Sequence, residues 1–184
     1  GIPALITHLG AHTGSGERAG IARLIEGLNR IAGKRPNSDV KIALETTAGQ
    51  GSTLGARFEH LAEVMHEVEA PERLRTCFDT CHVHTAGYDI ASREGFNKTL
   101  SEFDRTVGIS SLAAFHLNVV KQRRGERRDR HAHIGQGFLG FAPFRWIMRC
   151  VKLVDIPKIV ETPEAETMHR LNVACLRKLA WGAR

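Results

Sequence analysis

Leu74-Arg-Thr-Cys-Phe-Asp79-Thr-Cys-His82 is a short β-prone run that closes on a carboxylate and, three residues later, an imidazole. The same arrangement recurs along the chain, because short apolar runs repeatedly end in histidine or an acidic residue. These runs, each of which predicts a strand, are Ala4–Thr7, Val40–Leu44, Leu74–Phe78, Leu112–Leu117 and Lys158–Val160.

The segments between the predicted strands carry apolar residues at helical spacing. The predicted helices are Glu17–Ala32, Leu54–Val68, Glu94–Val107, Pro143–Val151 and Glu164–Trp181. Strands that alternate with helices indicate a parallel α/β sheet, which is typical of doubly wound folds and of (β/α)₈ barrels. No linker or repeat interrupts the pattern, so we expect one domain over residues 1–184.

Charge and composition indicate a chain with a polyanionic partner and no membrane segment. The net charge is +6, and the densest basic run reads Lys-Gln-Arg-Arg-Gly-Glu-Arg-Arg-Asp-Arg over residues 121–130. No apolar run approaches the ~20 residues that cross a bilayer. The N-terminus lacks the pattern of a secretory signal. We therefore expect a cytoplasmic protein whose four cysteines are reduced, buried thiols without a catalytic or metal-binding role.

The polar residues that close the predicted strands are all good ligands for a divalent cation. They are His8, Glu45, Asp79, His116 and Glu161, with His82 three residues after Asp79. In parallel α/β folds the C-terminal ends of the strands meet at the edge where ligands bind. Imidazoles and carboxylates with no thiolate nearby suit Zn²⁺, with Mn²⁺ and Fe²⁺ as alternatives.

Asp129, near the end of the basic run, and His131, directly after it, add a carboxylate and an imidazole. More ligands than one tetrahedral ion needs predict a cluster of ions, and Glu45 is placed to bridge two of them. The basic run would then open onto the metal site, where a phosphate backbone would lie. The predicted DNA contacts are Arg123, Arg124, Arg127, Arg128 and Arg130.

At these residues the chain closely resembles the endonuclease IV family of apurinic/apyrimidinic (AP) endonucleases. The matching stretches, which are long and in the same order, are Glu45-Thr-Thr-Ala-Gly-Gln-Gly-Ser-Thr-Leu-Gly55, Phe78-Asp-Thr-Cys-His-Val-His-Thr-Ala-Gly-Tyr-Asp89, His116-Leu-Asn118, Asp129-Arg-His131 with Gly135-Gln-Gly137, and Glu161-Thr-Pro163. This resemblance implies a (β/α)₈ barrel with three zinc ions at its C-terminal mouth. It also implies a hydrolase of base excision repair, associated with the nucleoid, that cuts double-stranded DNA on the 5′ side of abasic sites.

The resemblance also assigns roles to individual residues. His8 would hold the first zinc, and Glu45 would bridge the first and second and orient the attacking hydroxide, which makes it the catalytic residue. The remaining ligands of the second ion would be Asp79, His116 and Glu161. Those of the third would be His82, Asp129 and His131.

The chain departs from the family at its N-terminus. A further histidine ligand on the preceding strand, and loops that penetrate the DNA, have no counterpart here, so about five βα units of an incomplete barrel are expected. An N-terminal segment of the same protein is therefore a predicted partner. Two alternatives stay open: a metal-dependent sugar or hydroxy-carbonyl isomerase of the same superfamily, and an inactive truncated barrel that only binds zinc and DNA. His84 is predicted to lie in an extended loop without a special role.

Overall fold

Residues 1–181, which the computed structural model describes, contain a curled sheet whose five strands are all parallel to their neighbours. The strands run in the spatial order β1 (Ala4–Thr7), β2 (Lys41–Glu45), β3 (Leu74–Asp79), β4 (Leu112–His116) and β7 (Lys158–Ile159). The register pairs Glu45 with Cys77 and Asp79 with His116, so the strand ends lie side by side at one edge. The predicted α/β class is confirmed, and the curled sheet corresponds to an incomplete barrel.

Helices follow the strands as the apolar spacing predicts. Within the described range they are α1 (Glu17–Lys34), α2 (Phe58–Glu67), α3 (Thr80–Ala86), α4 (Arg93–Thr106), α5 (Ala142–Arg149) and α6 (Ala165–Trp181). The predicted start of α2 at Leu54 is wrong, because α2 begins at Phe58. Gly55 has a φ of 98°, which an α-helix cannot contain, so Leu54 is buried in the loop before the helix.

Helix α3 was not foreseen, and the prediction of an extended loop around His84 is wrong. Residues 80–86 are too few to show a full apolar repeat, but the Asp79 side chain caps them by accepting a hydrogen bond from the His82 backbone N–H at 2.9 Å. His84 is buried on this helix. The turn also carries the His82 side chain back over the strand ends.

The loop predicted after the fourth strand contains a second, two-stranded sheet. Strands β5 (Val119–Val120) and β6 (His131–Ala132) pair antiparallel. Neither of these two strands was predicted, because two residues are too few to show a period in the sequence. The pairing fixes His131 beside Val120 and so brings the far end of the basic loop back to the sheet.

The core lies between the outer face of the sheet and the helices. Phe78 and Phe115, on neighbouring strands, have ring centroids 5.5 Å apart, and Phe103 of α4 meets Phe78 edge-on at 5.4 Å. Side chains alternate along a strand, so Cys77 and Asp79 point to the opposite, inner face. Among residues 1–181 no helix combines the length and apolarity needed to span a bilayer.

Candidate metal centre

The edge of the sheet gathers the predicted ligands into overlapping groups. Glu45, Asp79 and His116 are the last residues of β2, β3 and β4, while His8 follows β1 directly and Glu161 lies two residues beyond β7. Within the described range, three of the groups whose ligand atoms all lie within 4.8 Å of one another contain all eight predicted metal ligands: His8, Glu45 and His82; Glu45, Asp79, His116 and Glu161; and His82, Asp129 and His131.

The first group is the most open of the three. His8 Nε2 lies 3.3 Å from Glu45 Oε2, and His82 Nδ1 lies 3.4 Å from Glu45 Oε1. The His8 side chain is 51% exposed, whereas those of Glu45 and His82 are buried. A further ligand or a substrate atom therefore has access from the side of His8.

The second group is richer in carboxylates, and three of its four members are buried, whereas the Glu161 side chain is 47% exposed. His116 Nδ1 lies 2.8 Å from Glu45 Oε1, 3.0 Å from Glu161 Oε2 and 3.8 Å from Asp79 Oδ2. One imidazole nitrogen cannot satisfy three acidic side chains, since it carries at most one proton. A divalent cation offers positive charge to all three carboxylates at once.

The third group shows the geometry expected of a metal site most clearly. Nε2 of His82 and Nε2 of His131 each lie 3.1 Å from an oxygen of Asp129, yet neither nitrogen has a hydrogen-bond partner among the described residues. Two ligands of a tetrahedral zinc ion lie about 3.3 Å apart without bonding to each other. The three side chains therefore converge on a common point.

Backbone carbonyls fix the orientation of these two imidazoles. His82 Nδ1 lies 2.8 Å from the Thr46 carbonyl oxygen, and His131 Nδ1 lies 3.1 Å from that of Glu161. Histidines that bind metals usually donate one ring N–H to such an acceptor and present the other nitrogen to the ion. The residues present therefore fit a bound cation.

Asn118 links the buried carboxylate of Asp79 to the segment that carries Glu161. Its side-chain amide donates to Asp79 Oδ2 at 2.6 Å, and its carbonyl oxygen accepts the backbone N–H of Glu161 at 2.8 Å. Asn118 is fully buried. The amide thus holds the end of β3 and the segment after β7 at a fixed spacing.

The electrostatics of the groups reflect their excess of carboxylates. Burial alone would raise the pKa of Glu45, but hydrogen bonds from His116, His8 and His82 outweigh it and hold that pKa far below its usual value. Burial alone would lower the pKa of His82 and His131, but neighbouring carboxylates, Asp79 and Asp129 among them, raise it to about 11 in each. The centre therefore demands positive charge, which protons or metal cations can provide.

The expectation that no thiol lies near the ligands is wrong for two of the four cysteines. Cys77 has its sulfur within 4.8 Å of ligand atoms of Glu45 and His116, and Cys81 stands in the same relation to Asp79 and His131. Burial raises the pKa of the Cys77 thiol to about 11. The position of Cys77 could have been predicted from the alternation of side chains along β3, because Cys77 lies two residues before Asp79 and on the same face.

The mouth of the site is a cavity of about 160 Å³ that opens beside His8, His82 and Asp129. Gln50 also lines it, and its side-chain oxygen accepts the Asp129 backbone N–H at 3.3 Å. Sequence reasoning did not single out Gln50, which lies in a loop and belongs to no periodic pattern.

The structure brings together part of the predicted DNA-binding set. Arg127, Arg128 and Arg130 line an adjoining hollow of about 400 Å³ with Gln50, and Arg130 also lines the mouth. Arg124 pairs with Asp89 at 3.5 Å instead, and Arg123 lines neither cavity.

Parallel strands whose C-terminal ends carry a cluster of imidazoles and carboxylates define a metal-site α/β barrel. The chain belongs to the xylose isomerase-like TIM barrel family, whose sequence pattern matches residues 1–179. Within it the predicted resemblance is confirmed: the chain is 48% identical over 184 residues to the probable endonuclease 4 of Chloroflexus aurantiacus (strain ATCC 29366 / DSM 635 / J-10-fl), covering 99% of this chain and 65% of that relative.

Solved structures agree. Endonuclease IV from Thermus thermophilus superposes with a TM-score of 0.84 at 30% identity, over 99% of this chain and 63% of that one. A D-tagatose 3-epimerase-like protein superposes with a TM-score of 0.69 over 96% of this chain and 62% of that one, but at 17% identity it shows the fold alone. The chain therefore spans somewhat less than two thirds of the length of these relatives.

Proposed function

We propose that the chain is the catalytic part of a zinc-dependent DNA-repair hydrolase that cleaves the phosphodiester bond on the 5′ side of abasic sites. The observation that carries this proposal is the convergence of eight imidazole and carboxylate side chains at the ends of five strands. The similarity to proteins named endonuclease 4 or endonuclease IV supports the choice of reaction.

The ligand set favours zinc, with Mn²⁺ and Fe²⁺ as alternatives, since imidazole nitrogens and carboxylate oxygens suit all three. His8 and Glu45 would hold one ion, the group around His116 a second, and the group around Asp129 a third. When bound, such ions lower the pKa of water and offset the negative charge of a phosphodiester.

Glu45 is placed to orient the attacking water. Its carboxylate lies between His8, His82 and His116, so it meets both an open and a buried part of the centre. Surrounding positive charge, from protonated histidines or from metal ions, keeps the pKa of Glu45 low, so Glu45 would accept a hydrogen bond from the water without taking its proton.

The basic side chains at the rim would hold the substrate. Arg127, Arg128 and Arg130 stand beside the mouth and are exposed, as side chains that pair with backbone phosphates must be. Four imidazoles in the centre and this basic rim favour phosphate chemistry over an isomerase, whose site would be built mainly of carboxylates.

The test is incision of a duplex that carries one abasic site, with the metal content measured on the same sample. We expect cutting 5′ to the lesion and none in the intact duplex. Glu45→Gln should lower the rate by at least about 10²-fold while the protein stays folded, because the amide cannot replace the charge of the carboxylate. Glu59→Gln, at an exposed position of α2, is the matched control and should cut normally.

Cleavage by Glu45→Gln at the normal rate would refute the assignment of Glu45. A metal-loaded wild-type chain that binds DNA without cutting it would instead support the alternative of an inactive truncated barrel that only binds zinc and DNA. Turnover of a sugar without cutting of DNA would favour the isomerase.

A further inference from the structure

Asn172 is a buried polar residue in the middle of α6, a helix that supplies no predicted ligand. It is 3% exposed, and Leu176 is the other buried residue of Ala165–Trp181. A buried amide lowers stability unless its hydrogen-bonding groups are satisfied. Its partners therefore show what it connects.

Both polar atoms of the Asn172 amide contact the segment that carries His131. The Asn172 side-chain oxygen accepts the backbone N–H of Ile134 at 2.8 Å, and Nδ2 lies 3.2 Å from Nδ1 of His133. These contacts lie two and three residues beyond His131. They fix the course of the chain as it leaves β6.

Nδ2 of Asn172 also contacts the segment that carries Glu161. Asn172 Nδ2 lies 2.9 Å from Oγ1 of Thr162, the residue next to Glu161, and 2.9 Å from the Met168 carbonyl oxygen of its own helix. The Thr162 carbonyl oxygen lies 2.8 Å from Nε2 of His169, also in α6. Helix α6 therefore contacts Thr162 at two points, its hydroxyl and its carbonyl oxygen.

These two segments supply ligands to different groups of the centre. His131 belongs to the group with Asp129, whereas Glu161 belongs to the group with His116. The segments also touch directly, because His131 Nδ1 lies 3.1 Å from the Glu161 carbonyl oxygen. A shift of either segment would change the orientation of the His131 ring and the reach of Glu161 together.

We propose that Asn172 is a positioning residue for the metal centre: it fixes the spacing between the His131 and Glu161 segments, and hence between two of the ion-binding groups. The inference rests on the metal centre of the proposed function but not on the identity of the substrate. An apolar residue of similar size could fill the same space, so the amide contributes chiefly through the geometry it imposes.

The experiment measures zinc affinity on the full chain without DNA, by competition with a chelator, for wild type and three variants. Asn172→Leu removes all contacts of the amide at nearly constant volume. Thr162→Val removes only the hydroxyl that faces Asn172. Leu176→Ala is the control, because it weakens the packing of the same helix but removes no hydrogen bond to either segment.

We expect Asn172→Leu to weaken the binding of at least one zinc ion by about 10- to 100-fold, the loss typical of removing a group that orients metal ligands. The visible absorption spectrum of the cobalt-substituted protein should change with it. Thr162→Val should show a smaller loss, and it serves as the test should Asn172→Leu fail to fold. Leu176→Ala should lower thermal stability but keep the zinc affinity and the cobalt spectrum of the wild type.

Zinc affinity within about threefold of wild type in folded Asn172→Leu, or in Thr162→Val where the former does not fold, would overturn the proposal. So would an equal loss in Leu176→Ala, since it would show a general effect of helix stability. These outcomes differ from failure of the proposed function, which would appear as zinc binding without incision of abasic DNA.

Discussion

His82 and His131 each present one ring nitrogen to a backbone carbonyl and the other to Asp129. The surrounding carboxylates raise the pKa of both imidazoles to about 11, so both are positively charged at neutral pH. Each must lose one proton before it can bind a metal ion. Proton loss and metal binding are therefore coupled at these two residues, and zinc affinity should rise with pH.

Zinc binding near pH 7 should release protons, on the order of two of them from His82 and His131, because neutral imidazole is the form that binds metal. The release is measured with a pH indicator as zinc is added to weakly buffered protein. His82→Gln combined with His131→Gln should release about two protons fewer than the wild type, and His66→Gln, at an exposed position of α2, should release as many as the wild type. Zinc uptake with no proton release would show that zinc does not displace protons from these imidazoles, and would contradict the coupling.

Single residues show where sequence reasoning reached its limit. Glu45 and Asp79 could be singled out because each closes an apolar strand and meets its neighbours through the sheet register. Asn172 could not, since it lies in a helix and joins two loop segments distant from it in sequence. Contacts that depend on how a helix docks leave no period in the sequence.

At the scale of elements, the segment between β5 and β6 contains the densest basic run of the chain, which is the main reason to expect a DNA partner. It is held at several backbone points, among them the Arg127 N–H, which donates to the Thr85 carbonyl oxygen of α3 at 3.0 Å. The arginines on it are exposed, so they are available to phosphates.

Replacing Arg123, Arg124, Arg127 and Arg128 with Ala should weaken DNA binding and flatten its salt dependence. Each lost phosphate contact lowers the slope of log K against log salt by about 0.9. Binding is measured by fluorescence anisotropy over a range of salt concentrations. The matched control removes four exposed basic residues from segments that lie at the opposite ends of the strands, namely Arg30, Lys34, Arg35 and Lys152. An unchanged slope in the loop variant, or an equal change in the control, would dismiss the loop as the DNA contact.

Sequence periodicity predicted the long elements well and missed three short ones, α3, β5 and β6. Eighteen residues of α1 repeat their apolar face several times, whereas α3 has seven residues and β5 and β6 two each. The short elements are nevertheless the ones that set His82 and His131 in the centre. Their conformations depend on a cap and on strand pairing, which become visible only in three dimensions.

At the scale of the whole molecule, the sheet ends in two strands, β1 and β7, that each have a neighbour on one side only within residues 1–181. Leu5 of β1 is 56% exposed, and Ile2 just before it is 63% exposed. Exposed apolar strand edges favour association with other strands. A strand supplied by another segment or by another copy would cover these edges.

The 184-residue chain by itself should therefore self-associate as its concentration rises, which sedimentation velocity measures. Leu5→Lys combined with Ile2→Lys should shift the chain toward monomer, because charge on an edge strand opposes pairing. Val151→Lys, which changes an exposed apolar residue outside the strands, should have no such effect. A wild-type chain that stays monomeric at all concentrations would contradict this account of the edges.

The most direct test of the central claim is a crystal structure of the zinc-loaded protein, with data collected at the zinc absorption edge. The account predicts anomalous peaks within about 2.0–2.2 Å of nitrogen or oxygen atoms of Glu45, His116 and Asp129, at the C-terminal ends of the strands. Zinc held elsewhere, or a centre whose carboxylates and imidazoles pair only with one another in saturating zinc, would contradict it.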